Sequence, residues 1–350
     1  MRDLRTLPKA HLHLHLEAAM RPSTMAELAA AAGVPVPSTS GYEDFTGFSQ
    51  RYQGLIAVFG RRENILRVLD EAVEDAAAEG AVHVEFGGAP LYHASVFGSA
   101  EAALVAMLEQ AAQSSARHGV SVGLMPTLNR MADPEAMVET ALLAAKYAGQ
   151  GVVGLGLAND ERGFPPEPFA ASFAIAKEAG LLSTPHAGEL DGPSSVRGAL
   201  GALQADRILH GVRAVEDADL LAELAERGTC LDVCPTSNLL LGVVGSLAEH
   251  PLPRLLEAGV RCSINADDPT LFGPGLLEEY ELCRSTLGLS DQQLATCAWS
   301  SVECSAAPEE VKQRSRSAIE AWLASPPVPG GEALDQADQA DQAAAQVVRA

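Results

Sequence analysis

Short hydrophobic runs recur along the chain, and longer stretches with helical periodicity separate them. Eight of the runs have the length and composition of β-strands and are bounded by turn-forming residues. The predicted strands cover residues 9–17, 82–90, 120–128, 152–160, 181–189, 207–214, 229–238 and 260–268. The clearest predicted helices between them cover residues 99–118, 134–148, 166–179 and 215–227. Gly180, Gly228 and Gly259 each end a helical stretch, as glycine commonly does.

Strands that alternate with helices predict an α/β fold with a parallel sheet, and eight such units predict a (β/α)8 TIM barrel. We expect one domain over residues 1–325, with extra helices inserted after strand 1. Residues 18–81 form this insertion, which we expect to lie over the barrel mouth. Its aromatic and apolar residues at helical spacing are Phe45, Phe48, Tyr52, Leu55 and Phe59. Residues 326–350 repeat Ala, Asp and Gln without an apolar face, which predicts a disordered tail.

Composition narrows the range of functions. The 350 residues are 47% apolar and carry a net charge of −22, which argues against binding to nucleic acid or to anionic membranes. The sequence contains no run of about 18 apolar residues, so we expect no transmembrane helix, and the N-terminus does not resemble a signal peptide. The six cysteines all follow residue 229 without a C-x-x-C motif, so we expect reduced thiols in a cytoplasmic protein. The oligomeric state stays open, with a homo-oligomer among the alternatives.

Histidines and carboxylates lie at the ends of several predicted strands, where the active site of a barrel forms. They are His13 and His15 after strand 1, His186 and Glu189 after strand 5, His210 on strand 6, and Asp267 and Asp268 after strand 8. Each group has a simple structural alternative, since a lone histidine can pack in the core and an Asp pair can cap a helix. Their common position at one rim predicts a metal-dependent active site, because buried ionisable groups need partners.

Strand geometry separates the histidines of "HLHLHLE". Side chains two residues apart share a face, with Cα atoms about 6.6 Å apart, so His13 and His15 can converge on one ion. His11 and His15 are roughly 13 Å apart by the same rise, and we expect His11 to be structural. Imidazoles with one carboxylate suit a single zinc ion, although iron, cobalt or manganese also fit. The middle strands contain no lysine that could bridge two metals.

Five motifs, in order from residue 7 to about 310, resemble the adenosine deaminase family. They are "LPKAHLHLHLEAAMRP", "PHAGE", "RILHG", "VCPTSN" and "NADDP". The resemblance implies that one Zn²⁺ per chain is held by His13, His15, His186 and Asp267. It further implies that Glu189 protonates N1 of a purine, that His210 and Asp268 activate and orient the attacking water, and that Glu17 contacts the sugar.

Four positions depart from the family pattern, and they concern the substrate more than the chemistry. Ala18 replaces a glycine, Gly87 replaces an arginine, and Asn159 in "LANDE" replaces a glycine of "LAGDE". Leu209 also adds bulk beside the histidine of "RILHG". The predicted substrate-binding residues are therefore Glu17, Asn159, Asp160 and Leu209.

The resemblance implies hydrolytic deamination of the 6-amino group of an adenine nucleoside, giving an inosine-type product and ammonia. The substrate alternatives are 6-aminodeoxyfutalosine and a specialised purine nucleoside antibiotic precursor, whereas free adenine ranks lower on the strand-4 pattern. Two other readings remain: a metal hydrolase of a different bond, and a non-catalytic purine-binding protein with an inherited metal site.

Overall fold

The computed structural model describes residues 1–42 and 45–326 and centres on a sheet of eight strands within those residues. Each of the eight predicted runs overlaps one strand. The strands, β1 to β8 in chain order, are Lys9–His15, Ala81–Gly88, Ser121–Asn129, Gly154–Ala158, Leu182–Ala187, Arg207–His210, Cys230–Val233 and Arg261–Ile264. Most end a few residues earlier than predicted, because the chain leaves the hydrogen-bonded ladder where the candidate site residues begin. Strands β2 and β3 extend one residue beyond the predicted bounds.

Neighbouring strands pair in parallel and in chain order, from β1 with β2 to β7 with β8. The segment after β8 then closes the ring against β1. The His15 N–H donates to the Asp267 carbonyl at 3.1 Å, and the Asp267 N–H donates to the His13 carbonyl at 3.0 Å. This arrangement confirms the predicted (β/α)8 barrel and gathers the carboxyl ends of all eight strands at one rim.

Helices cover the outside of the barrel. The α-helices of the described residues, α1 to α15 in chain order, are Pro22–Ala32, Phe45–Ala57, Arg62–Ala78, Ala94–Phe97, Ala100–His118, Pro134–Lys146, Ala170–Glu178, Pro193–Ala202, Ala218–Arg227, Pro235–Leu240, Leu252–Glu257, Pro269–Phe272, Leu276–Ser285, Asp291–Glu303 and Glu309–Ala324. Within these ranges, no single helix is long and apolar enough to cross a membrane. One pair, Pro90–Phe97 with Ala100–His118, reaches that length and composition together but is bent by 100°.

Helices α1, α2 and α3 occupy the predicted insertion after β1. Helix α2 contains Phe45, Phe48, Tyr52 and Leu55 at the predicted helical spacing, whereas Phe59 lies just beyond its end. Leu55 is fully buried, and the Phe48 ring stacks on Phe272 with centroids 5.4 Å apart. The predicted disordered tail lies outside the described residues from residue 327 onward.

A buried ion-pair network crosses the barrel interior below the rim. Arg207 on β6 donates to the Glu85 carboxylate at 2.5 Å and to Asp232 Oδ2 at 2.9 Å, and Ser263 donates to Asp232 Oδ1 at 2.7 Å. Removing one member of such a buried pair typically costs about 3–5 kcal/mol, because the other charge is left uncompensated. The network therefore fixes β2, β6, β7 and β8 directly beneath the candidate site.

Candidate active site

A cavity opens at the carboxyl rim of the barrel and encloses about 760 Å³ when the open solvent at its mouth is included. Its floor carries the side chains that the sequence placed at strand ends. These are His15, His186, Glu189, His210, Asp267 and Asp268. Its outer wall is largely aromatic and comes from α2 and the turn at 90–93, with Phe45, Phe48, Tyr52 and Tyr92. The cavity therefore combines a polar, titratable floor with an apolar entrance.

Two histidines of β1 meet the carboxylate that follows β8. Asp267 Oδ1 lies 3.1 Å from His13 Nε2 and 3.2 Å from His15 Nε2. The backbone bonds that close the barrel place Asp267 here, and they hold it at a φ of 62°, a left-handed conformation that is uncommon outside glycine. Ser237 donates a hydrogen bond to the other oxygen, Oδ2, at 2.7 Å. The carboxylate is thus oriented from both sides, with Oδ1 facing the imidazoles.

Backbone carbonyls orient the rings of His13 and His186. His13 Nδ1–H donates to the Asp232 carbonyl at 3.1 Å, and His186 Nδ1–H donates to the Leu157 carbonyl at 2.9 Å. A neutral imidazole that donates through Nδ1 presents a bare lone pair at Nε2. The two Nε2 atoms face each other at 3.2 Å. Two ring nitrogens at this distance need either a shared proton or a metal ion between them, so this pair fits a metal.

The whole donor set suits one divalent transition metal. Ligand atoms of His13, His186, His210 and Asp267 lie within 4.8 Å of one another, and those of His15, Asp267 and Asp268 form an overlapping group. Burial lowers the pKa of His186 well below its usual value, helped by the adjacent imidazoles, so the ring is neutral as a ligand must be. Imidazole nitrogens with one carboxylate oxygen are a common zinc-binding set.

Asp267 is the anionic member of this set. Burial opposes its ionisation, but in the metal-free protein the protons of His13 and His15 outweigh burial and hold the pKa of Asp267 well below the usual range. A bound cation would take the place of those protons. The ionised form of Asp267 is the one that a metal needs.

His11 lies outside this group, as strand geometry predicted. Its Nε2 accepts a hydrogen bond from the Ala266 backbone N–H at 3.1 Å, and the ring is almost completely buried. The ring nitrogen that could bind a metal is therefore used to support the segment after β8.

Three further ionisable groups surround the metal-binding set. His210 Nε2 lies 3.4 Å from Glu189 Oε1 and 3.7 Å from Asp267 Oδ2. Burial, together with the charge of Asp267, raises the pKa of both Glu189 and Asp268 well above the usual carboxyl range. Glu189 Oε1 and Asp268 Oδ1 are buried and have no hydrogen-bond partner among the described residues, and both residues line the cavity. These oxygens could form hydrogen bonds with a small molecule in the cavity.

Glu161 is an acidic residue of this region that sequence reasoning did not single out. Its carboxylate accepts hydrogen bonds from four consecutive backbone N–H groups, those of residues 188–191, at 2.6 to 3.0 Å. The Ser195 hydroxyl donates a fifth, at 2.7 Å. Gly188 has a φ of 69°, which lets the turn aim its amides inward. The carboxylate therefore fixes the turn that carries Glu189.

Arg130, which is also buried, completes this support from β3. One of its terminal nitrogens donates to the His186 carbonyl, and the other donates to the Phe164 carbonyl at 3.2 Å. The guanidinium also lies 3.9 Å from Glu161. A cation beside this buried carboxylate offsets part of the cost of burying its charge.

Glu17 lies behind the cavity wall, and both its oxygens have protein partners. Tyr52 of α2 donates to Oε2 at 2.8 Å, and His93 lies 2.9 Å from Oε1. Burial opposes ionisation, but the hydrogen bonds from His93 and Tyr52 keep the pKa of Glu17 below its usual value. The carboxylate therefore links α2 and the 90–93 turn to the end of β1. A contact between Glu17 and the sugar stays a prediction.

The remaining predicted substrate residues lie at different depths. Asn159 lines the cavity at a φ of 90°, and its amide donates to Asn129 Oδ1 at 3.2 Å. Asp160 pairs with Arg162 at 2.8 Å and lies outside the cavity lining. Leu209 is buried, pairs in register with His186, and is also absent from the lining. Direct substrate contacts by these residues stay predictions, with Asn159 the one that reaches the cavity.

Comparison with known proteins assigns this architecture to a family. The family model described as "Adenosine deaminase" matches residues 8–322. A Streptomyces coelicolor protein named for adenosine/adenine deamination is 41% identical, with 92% of this chain and 98% of that protein covered. The adenine deaminase of Rhizobium leguminosarum is 36% identical, covering 88% and 97%. The aminodeoxyfutalosine deaminase of Acidothermus cellulolyticus is 35% identical, covering 83% and 86%.

Solved structures give the same assignment. The adenine deaminase of Arthrobacter aurescens superimposes with a TM-score of 0.85 at 31% identity, covering 91% of this chain and 99% of that one. A Burkholderia ambifaria amidohydrolase with bound zinc superimposes with a TM-score of 0.84 at 27% identity, covering 92% and 94%.

Proposed function

The chain belongs to the adenosine deaminase family and is an aminohydrolase, and from this membership and the site geometry we propose that it removes the 6-amino group of an adenine nucleoside. The products are the inosine-type nucleoside and ammonia. The observation that carries the proposal is the juxtaposition of a metal-binding set with a buried, raised-pKa carboxyl group, Glu189, across one cavity floor.

We assign His13, His15, His186 and Asp267 as ligands of one Zn²⁺. When bound, zinc lowers the pKa of a water molecule toward about 7 and so supplies a nucleophile at neutral pH. The bare Nε2 atoms of His13 and His186 support this assignment, and so does the zinc in the B. ambifaria relative.

Glu189 and Asp268 divide the proton transfers between them. Addition of the water oxygen to C6 breaks the aromaticity of the ring and puts negative charge on N1. Glu189, protonated at neutral pH because of its burial, gives its proton to N1. Asp268 accepts the proton of the water, and the positive charge of the bound metal favours its ionised form. Transfer of that proton to the amino group lets ammonia leave as the C6–N bond breaks. The second proton of the water leaves the C6 oxygen as the carbonyl forms and restores the acid form of Glu189.

The cavity wall favours an uncharged substrate. Among the described residues that line it, none is lysine or arginine, and the entrance is aromatic. A phosphate group there would be buried without a cationic partner, which is costly. Adenosine, deoxyadenosine and 6-aminodeoxyfutalosine share the adenine head and differ in the part that faces the entrance, where Tyr92 and Phe45 lie.

Free adenine is the second candidate substrate. The contacts of Glu17 favour free adenine, because both carboxylate oxygens already have partners in Tyr52 and His93. The carboxylates of the described cavity lining are Glu189, Asp267 and Asp268, which we assign to the metal site and the proton transfers. A substrate without a sugar would need no contact from Glu17. Several relatives with about 35% identity are named adenine deaminases, which supports the same candidate.

The test is ammonia release by zinc-loaded protein with adenosine, deoxyadenosine, adenine, 6-aminodeoxyfutalosine and AMP. We expect turnover of at least one uncharged adenine compound, loss of turnover after chelation, and recovery on adding zinc. Tight purine binding without turnover in protein that holds one zinc per chain would instead support the non-catalytic reading. Hydrolysis of a non-aromatic amide that does not need Glu189 would support a different hydrolase. The cytoplasmic location and the homo-oligomer stay predictions.

A further inference from the structure

A chain of hydrogen bonds leads from the backbone at the start of α11 to His210. The Leu252 backbone N–H donates to His250 Nδ1 at 3.2 Å. His250 Nε2 lies 3.2 Å from Asn238 Oδ1, and Asn238 Nδ2 lies 3.1 Å from His210 Nδ1. His250, Asn238 and His210 are all almost fully buried. We call these three side chains the relay.

The first member of the relay determines the direction of every later bond. A backbone N–H can only donate, so His250 Nδ1 must be the acceptor. A neutral imidazole whose Nδ1 accepts carries its proton on Nε2. Burial lowers the pKa of His250 to about 4, so the ring is neutral at physiological pH. His250 therefore donates through Nε2, and the Asn238 atom that faces it must be the carbonyl oxygen.

The same reasoning continues to the catalytic floor. With its oxygen turned to His250, Asn238 presents its amino group to His210 and donates to Nδ1. His210 must then carry its proton on Nε2. The atoms that face this Nε2 are an oxygen of Glu189 at 3.4 Å and an oxygen of Asp267 at 3.7 Å. The low pKa of Asp267 leaves it a carboxylate that only accepts, so it favours a proton on this nitrogen.

This orientation is opposite to that of the neighbouring histidines. His13 and His186 donate through Nδ1 to backbone carbonyls and present bare Nε2 atoms to the metal site. His210 accepts at Nδ1 from an amide and presents a protonated Nε2. A protonated nitrogen cannot bind a metal or take a proton from water. The partner at Nδ1 thus separates His210 from the ligands, although His210 lies in one cluster with His13, His186 and Asp267.

We propose that Asn238 and His250 are positioning residues that hold His210 in its Nε2–H tautomer, so that His210 donates a hydrogen bond to the attacking water and does not serve as its base. The reaction to which this applies is the one under Proposed function. The relay itself is a property of the folded chain, and Asp268 is then the carboxylate that receives the water proton.

Nitrogen NMR tests the proposal without turnover. Protein labelled with ¹⁵N-histidine has nine histidines, and the His210 signals are assigned by their loss in His210→Gln. Long-range ¹⁵N–¹H correlations distinguish a protonated from a bare ring nitrogen. We expect His210 and His250 both to carry their protons on Nε2, with and without zinc. A His210 ring protonated on Nδ1, or a bare Nε2 in the zinc-loaded protein, would overturn the proposal.

Asn238→Asp provides the matching kinetic test, because an ionised aspartate only accepts and therefore draws the proton of His210 to Nδ1. We expect kcat to fall about 100-fold or more, the loss typical of removing a catalytic hydrogen-bond donor, with KM and zinc content within about twofold of wild type. Unchanged kcat in zinc-loaded Asn238→Asp, despite a shifted proton, would contradict the role.

His250 provides a second pair of variants in case Asn238→Asp folds poorly. His250→Gln keeps an amide that can donate to Asn238, whereas His250→Phe removes the donor, so we expect kcat of the glutamine variant to exceed that of the phenylalanine variant. Equal kcat values in the two variants would count against the relay.

Glu249→Gln is the control, because it changes the adjacent, exposed side chain, and its kcat should match that of the wild type. A relay seen by NMR in protein that deaminates nothing would contradict only the proposed function.

Discussion

At the residue scale, the partner of each ring nitrogen gives chemically identical histidines different roles. His13 and His186 donate to carbonyls and keep a lone pair for a metal, whereas His11 uses its lone pair to accept a backbone N–H. His210 instead accepts a hydrogen bond at Nδ1 from the side-chain amide of Asn238. The same argument applies to the carboxylates, since burial beside Asp267 raises the pKa of Glu189 while the imidazoles lower the pKa of Asp267.

Glu189→Gln tests the acid at this scale. The amide has nearly the same shape but cannot give up a proton, so we expect kcat to fall by about 10²–10⁴-fold, the range for a lost general acid. Zinc content should stay at one per chain, measured by elemental analysis, because Glu189 lies outside the ligand set.

Glu178→Gln, at the exposed end of α7, is the matched control and should behave as wild type. A Glu189→Gln enzyme with near-normal kcat would mean that no proton from this residue is needed, as in hydrolysis of a non-aromatic amide.

At the scale of elements, short connecting segments control the catalytic groups. The turn after β5 is held by a single carboxylate from the segment after β4, and Glu161 accepts from every amide between residues 188 and 191. Helix α2 is tied to the end of β1 through Tyr52 and Glu17. The strand ends determine where the catalytic side chains lie. The hydrogen bonds of Glu161 and Glu17 restrict the movement of the segments next to those strand ends.

Substitutions at Glu161 test the role of the turn. Glu161→Gln keeps the size of the side chain but directs an amino group at N–H donors, so we expect the turn to loosen and kcat to fall about 10–100-fold, as for residues that support metal ligands. Ser195→Ala removes only one of the five donors and should stay close to wild type. Thermal unfolding should be measured for both variants. Equal kcat values for Glu161→Gln and wild type at equal zinc content would contradict this role.

At the scale of the whole molecule, charge and cavity lining act together on the choice of substrate. The chain carries a formal net charge of −22, and the described cavity wall contains no lysine or arginine. Long-range repulsion slows the approach of an anion, and the apolar entrance penalises its desolvation. Both effects disfavour a nucleotide relative to a nucleoside with the same base.

AMP and adenosine provide a matched pair for this prediction. If adenosine is turned over, we expect kcat/KM for AMP to be lower by about 100-fold or more, because an unpaired buried anion costs several kcal/mol. Raising the ionic strength from 0.01 to 0.15 M shortens the screening length from about 30 to about 8 Å. The ratio of kcat/KM for adenosine to kcat/KM for AMP should therefore decrease. The quantity to measure is kcat/KM for each substrate at both salt concentrations. A ratio near one at low salt would contradict this account.

The sequence alone determined the barrel and the rim residues, because strand periodicity and parallel topology are local rules that place residues such as His13 and His15 on one face. The tertiary structure decided what each side chain does there. Glu161 was hidden beside Asp160 in "LANDE", and Asn238, in the short helix α10, is 12 residues from His250, which lies in a connecting segment. Their partners are backbone groups and side chains of other elements, up to 34 residues away for Glu161 and 28 for Asn238. Hydrogen-bond direction depends on these distant contacts, which folding alone brings within 3 Å or so of each other.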